Sequence, residues 1–335
     1  MNIKKIGLTA LAGSLVATSV FAGEMSVSGS AALNWETQEK TTSANTFRMA
    51  DSITFAGGGE LDNGWTIAAS FELDQGVADT KMGATDAGPF DSHSMTLGMG
   101  DLGTIIFNGH GGSSAYSAVD DVMPTAYEEP WDILNTTTTG GAPGTVETAV
   151  ASEGAIDSTT SDNMFQYKNS ALVDGLALHV SYVPANGTIV ESAISYGAAY
   201  TGVEGLTVGY ATGENGLTGT SSIDRDTMYV KYAYGPITVG YQVAEQEADG
   251  TTNDDEYTSM GISYAVNDSL SVSYGQTEYD DKNSTTDQEN TAFGFSYTMG
   301  SMTLAGAHAQ VDNQGHSSAG INDTTGYELD LSFAF

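Results

Sequence analysis

The chain has no cysteine, only 6 prolines, and only 9 lysines and arginines together. Past residue 22 it also lacks any apolar run near the roughly 20 residues that a helical membrane span needs. Each shortage excludes something. Without thiols there are no disulfides and no thiolate metal sites. Without a helical span, a membrane form of this chain has to be a closed barrel, the other structure that satisfies every backbone polar group inside lipid. Few bases against 43 Asp and Glu give a formal net charge of −34, a surface that repels nucleic acid and draws cations.

Residues 1–22 read as a secretory leader. Lys4 and Lys5 form a positive start, Ile6 to Val20 is a short apolar stretch, and Val20-Phe21-Ala22 fits a small-x-small cleavage site. Removing the two leader lysines leaves 7 bases against 43 acids, a net charge of −36 over 23–335. With 41 Gly, 17 Tyr and 11 Phe, the remainder suits many short strands.

The last nine residues carry the clearest local signal. Tyr327, Leu329, Leu331, Phe333 and Phe335 make one apolar face of a strand, and Glu328, Asp330 and Ser332 fall on the other. Glu24 to Glu36 alternates in the same way, with Met25, Val27, Ala31, Leu33 and Trp35 on one side. Between them the chain reads as successive hairpins. Short turns are expected at Asp62-Asn63-Gly64, Gly100-Asp101-Leu102, Asp174-Gly175, Gly202 to Gly205, Gly235-Pro236, Asn267-Asp268-Ser269 and Gly300-Ser301.

Counting the first and last strands gives about sixteen, joined alternately by short turns and longer loops. In an up-and-down sheet all short turns then lie at one end and all long loops at the other, as in an outer-membrane barrel. The expected fold is therefore an all-β, transmembrane, antiparallel up-and-down β-barrel. One connection stands apart: from Gly109 to Asn163 the alternation disappears, far beyond the length of an ordinary loop. Its first half holds Tyr116, Val119, Val122, Met123, Tyr127, Trp131, Ile133 and Leu134, enough apolar matter to pack against something.

The leader, the opening strand Met25-Ser26-Val27-Ser28-Gly29, the segment Asp162-Asn163-Met164-Phe165-Gln166-Tyr167, the hairpin Leu172 to Tyr182 and the terminal Leu331-Ser332-Phe333-Ala334-Phe335 together resemble the Gram-negative trimeric porins. The resemblance implies a homotrimer of sixteen-stranded barrels in the cell outer membrane. It also implies that the long third loop, 109–163, folds into the lumen as a constriction. Several porins carry a Pro-Glu-Phe-Gly-like element in that loop; this sequence has none, and Glu128-Glu129-Pro130-Trp131 sits in a comparable region.

A pore discriminates by its diameter and by the charges that line it. Asp120, Asp121, Glu128, Glu129 and Asp132 are the candidate acids of the constriction, and the loop holds no base. Arg48, Lys168 and Lys231 are each out of phase with the apolar face of their strand, so they fall on the lumen side. The resemblance makes them candidates for a basic wall facing the acidic loop; avoidance of lipid by charge places them there equally well. The expected function is passive diffusion of small hydrophilic solutes and ions with a cation preference.

Two other readings compete: a substrate-specific channel with a solute-binding site, and a secreted acidic, calcium-binding adhesin. The five histidines form no ligand motif and the acidic tracts lack EF-hand spacing. No cofactor is expected, beyond calcium or magnesium ions held loosely by loop carboxylates. No nucleophile elbow or other catalytic arrangement is present, so the chain does not read as an enzyme. Expected partners are copies of the chain itself, outer-membrane lipid and lipopolysaccharide.

Overall fold

Period-two alternation lets a strand face lipid on one side and water on the other, and the chain uses it sixteen times. In order the strands are β1 (Met25–Gln38), β2 (Thr46–Glu60), β3 (Thr66–Asp74), β4 (Ser92–Gly98), β5 (Thr104–His110), β6 (Met164–Val173), β7 (Leu176–Val183) and β8 (Val190–Tyr200). There follow β9 (Leu206–Leu217), β10 (Ile223–Tyr234), β11 (Ile237–Ala248), β12 (Asp255–Ala265), β13 (Leu270–Asp281), β14 (Gln288–Met299), β15 (Met302–Asp312) and β16 (Thr324–Ala334). The computed structural model describes residues 25–39, 46–74, 90–119, 122–130, 133, 162–185, 190–217, 223–248, 255–282, 284–316 and 323–335. The expected leader, 1–22, lies outside them.

Each strand pairs antiparallel with its sequence neighbours, and β1 pairs with β16, so the sheet closes into a barrel without an edge. The closing seam uses the terminal residue. Gly29 N–H donates to the Phe335 carbonyl at 2.8 Å, and Phe335 N–H donates to the Gly29 carbonyl at 2.9 Å.

All seven short turns fall where turn chemistry places them. Gly64 (φ +80°) and Gly175 (φ +76°) occupy the left-handed region that a side chain disfavours, which lets two- to five-residue connections reverse the chain. Outward faces are apolar and aromatic: Tyr196, Tyr210, Tyr241, Tyr274 and Phe293 are all exposed. In a barrel that faces lipid this exposure is solvation by hydrocarbon and headgroup, with tyrosine suited to the interface. Among the described residues no helix is long and apolar enough to cross a membrane.

Candidate pore constriction

The long third loop leaves β5 and turns inward. Its two ends are held together by His110 Nδ1 and Asp162 Oδ1, 2.5 Å apart, and by Asn163 N–H donating to the Gly109 carbonyl at 3.3 Å. From this base the loop crosses the inner wall, and polar wall residues satisfy its backbone. Ala115 N–H donates to Ser195 Oγ on β8 at 3.0 Å, Gln242 Nε2 on β11 donates to the Val119 carbonyl at 2.8 Å, and Ala126 N–H donates to Ser273 Oγ on β13 at 2.8 Å. Buried backbone groups need such partners, so an alternating strand with polar inward residues is the bed that an irregular segment requires.

Apolar contact does the rest. Tyr116, Val122 and Met123 pack with Met164, Val183 and Tyr229, while Ile133 packs with Ala292, Ala309 and Val311. The apolar first half of the loop thus covers the wall of the barrel, and Trp131 and Leu134 lie outside the described residues.

The segment 122–130, the tip of the loop among the described residues, is folded on itself. Met123 N–H donates to Glu129 Oε1 at 2.6 Å, and Thr125 Oγ1 donates to the Glu128 carbonyl at 2.8 Å. Within this segment the Tyr127 phenol faces the Glu328 carboxylate of β16. Burial, reinforced by Glu128, Glu328 and Asp330, holds the Tyr127 phenol well above its usual range, so it remains a neutral donor.

The tip therefore meets a charged strip on the inner wall. Glu328 also accepts from Asn34 Nδ2 of β1 at 2.5 Å. Asn34 stands opposite Asp330 in the closing pair of strands, and Glu36 stands opposite Glu328. Arg48 Nη2 on β2 lies 3.2 Å from Glu36 Oε2. Three acids and one base, on three adjacent strands, line the lumen beside the tip.

The sequence-predicted residues are distributed differently from the expectation. Asp120, Asp121 and Asp132 lie outside the described residues. Glu128 is half-buried at the tip. Glu129 was expected to present charge to the lumen, but it is 1% exposed and its carboxylate is spent inside the loop on the Met123 amide. A buried donor has to find an acceptor, and Glu129 supplies it.

Arg48, Lys168 and Lys231 all occupy the inward phase of their strands, yet they sit on β2, β6 and β10, a quarter of the barrel apart each time. They form no single basic wall. Arg48 belongs to the strip just described, and Lys231 lies beside Met123 and Pro124 with Nζ 5.6 Å from the Tyr229 ring centre. Lys168 lies opposite Thr104, the first residue after a short turn, and opposite His179.

Sequence reasoning gave no role to Glu36, Glu328 or Asp330, nor to Arg225, whose Nε donates to Gln246 Oε1 at 2.7 Å. The two acids of the last strand were visible as the polar phase of its alternation. Their meeting with the loop tip was not.

A family model for Gram-negative porins matches residues 7–331. A search of curated protein sequences finds no match. Among solved structures the chain is similar to an anion-selective porin from Comamonas acidovorans, with 16% identity, 93% of this chain and 100% of that one covered, and a TM-score of 0.65. It is similar also to OmpF of Salmonella typhi in complex with daunomycin (16% identity, 94% and 98% covered, TM-score 0.68). A third is OmpT of Vibrio cholerae, an outer-membrane protein (13% identity, 95% and 99% covered, TM-score 0.67). At such identities the shared property is the barrel. The family match over nearly the whole chain and the closed sixteen-stranded barrel agree: this chain belongs to the Gram-negative porin family, a channel protein of the outer membrane.

Proposed function

We propose that the channel passes small hydrophilic solutes and ions by passive diffusion and prefers cations. The observation that carries the preference is the strip beside the loop tip, where Glu36, Glu328 and Asp330 outnumber Arg48. Carboxylates facing a narrow aqueous path raise the local concentration of cations and lower that of anions. Asp120, Asp121 and Asp132 on the same loop, with Glu128 at the tip, add to this field. The fold alone leaves the sign open, since a similar barrel is described as anion-selective. Three copies assemble in the membrane, after removal of residues 1–22, with outer-membrane lipid and lipopolysaccharide around them; one similar structure is described as a trimer form.

The test is the reversal potential of the purified protein in a planar bilayer under a salt gradient at neutral pH. A potential of cation-selective sign is expected, and an anion-selective sign overturns the preference while leaving the channel intact. Replacing Glu328→Gln and Asp330→Asn together moves the potential toward zero. One charge about 8 Å from a passing ion contributes on the order of 0.5 kcal/mol at the dielectric constant of water, roughly a twofold change in permeability ratio per residue. Saturable block by one solute class would replace free diffusion with a solute-binding channel.

A further inference from the structure

We infer that three inward-facing glycines, Gly240, Gly261 and Gly275, set the calibre of the pore by letting the lumen loop lie flush against the wall. They occupy one rung of the barrel: Gly240 of β11 pairs with Gly261 of β12, and Gly261 pairs with Gly275 of β13. The rung continues through Ala292 and Ala309, on which Ile133 of the loop packs. A Cβ placed on Gly240 would meet Pro124 Cδ at 2.5 Å and Met123 Sδ at 3.1 Å. On Gly261 it would meet the Pro124 carbonyl oxygen at 2.9 Å, and on Gly275 the Pro130 ring at 2.8 Å. None of the three has a positive φ, so their backbone does not call for glycine. What calls for it is the loop.

Glycine in a strand interior weakens the strand and marks a close approach by another group. Here that group is unyielding. Proline rings have no rotamer with which to step aside, and each glycine is held in a ladder of hydrogen bonds on both flanks, so the wall cannot retreat. Two prolines also suit this bed because they bring no N–H that the bare wall would leave unpaired. An added methyl group therefore lifts the tip by about 1 Å to restore ordinary contact distances. The direction is inward, toward the opposite wall formed by β3 to β5.

This inference rests on the open channel and is separable from its ion preference. Single-channel conductance of Gly275→Ala and Gly275→Val, and of the same pair at Gly261, is measured beside wild type and beside Gly59→Ala. Gly59 is a strand glycine with nothing within 4 Å of an added Cβ, and it reports the effect of losing a glycine alone. The expected result is a graded loss of conductance, valine beyond alanine, with a lower size limit for neutral polyethylene glycols and no loss for Gly59→Ala. Pro130→Ala, combined with Gly275→Ala, removes the ring and restores conductance. Folding is checked by the shift in gel mobility between heated and unheated protein. If the valine variants fail that check, the alanine variants and the proline rescue decide the matter. Folded variants that conduct as wild type does, or better, overturn the inference, and so does a loss that Pro130→Ala fails to relieve. Silence of wild type itself would count against the channel, a different failure.

Discussion

His110 Nδ1 and Asp162 Oδ1, 52 positions apart in sequence, lie 2.5 Å from each other and close the base of the lumen loop. The pair ties the last residue of β5 to the segment that leads into β6, so the loop departs from a fixed neck.

Replacing His110→Ala is expected to loosen that neck and leave the barrel standing. A partly exposed hydrogen bond of this kind contributes about 1 kcal/mol. Cleavage of the loop by a glutamate-specific protease should quicken several-fold, while the heat-unfolding midpoint of the barrel moves little. An equal loss in both measurements would make the pair part of the barrel fold.

Glu129 and Glu128 are adjacent but have different expected phenotypes. Glu129→Ala leaves the Met123 amide without its acceptor at a cost of about 1–3 kcal/mol, so the tip shifts and conductance changes. Glu129→Gln keeps an oxygen in place and should behave nearly as wild type. Glu128→Gln should act on the reversal potential more than on conductance. Paired bilayer recordings of the three variants check this division.

At the closing seam Gly29 lies close against the ring of Phe335. A Cβ on Gly29 would come within 2.7 Å of that ring and 2.8 Å of the Ser52 carbonyl oxygen. Gly29→Val is expected to destabilise the seam by about 1–3 kcal/mol, as overpacking does. The yield of heat-modifiable barrel on refolding into detergent measures it, and removing the ring with Phe335→Ala should recover part of the loss.

Salt should stabilise the barrel. At the long-loop end, Asp226 pairs with Glu245, Glu245 with Glu256 and Glu256 with Asp280, all on the outward phase of β10 to β13. Lys282 answers only the end of this row, at 2.8 Å from Asp280 and 3.6 Å from Glu256. Like charges directly opposite each other oppose strand pairing. Raising sodium chloride from about 0.01 M to about 0.15 M shortens the screening length from about 30 Å to about 8 Å and should raise the unfolding midpoint. A midpoint that falls with salt would mean that attractive pairs dominate the rim.

The barrel was legible because its determinants are local. Alternation in Tyr327 to Phe335 chose the face that meets lipid, Asp62-Asn63-Gly64 and Asp174-Gly175 fixed where hairpins reverse, and strict exchange of short turns with long loops made the sheet up-and-down. The same alternation assigns Arg48, Lys168 and Lys231 to the inward phase of their strands, and it identified the third loop as the segment without a strand pattern.

Alternation assigns a side of the sheet and nothing more. Height along the barrel and position around it depend on register, which links Gly240, Gly261 and Gly275 into one rung although 21 and 14 positions separate them in sequence. That is why three bases read as one wall lie a quarter-barrel apart, and why Glu328 meets Tyr127. The fate of Glu129 was hidden for a related reason: a carboxylate in a loop reads the same whether it faces water or accepts the Met123 amide. A lipid-facing barrel, its turns and its acidic character follow from residue type and period alone. Which acids face the loop, and how close the loop lies to the wall, are set by distances between strands that meet only when the barrel closes.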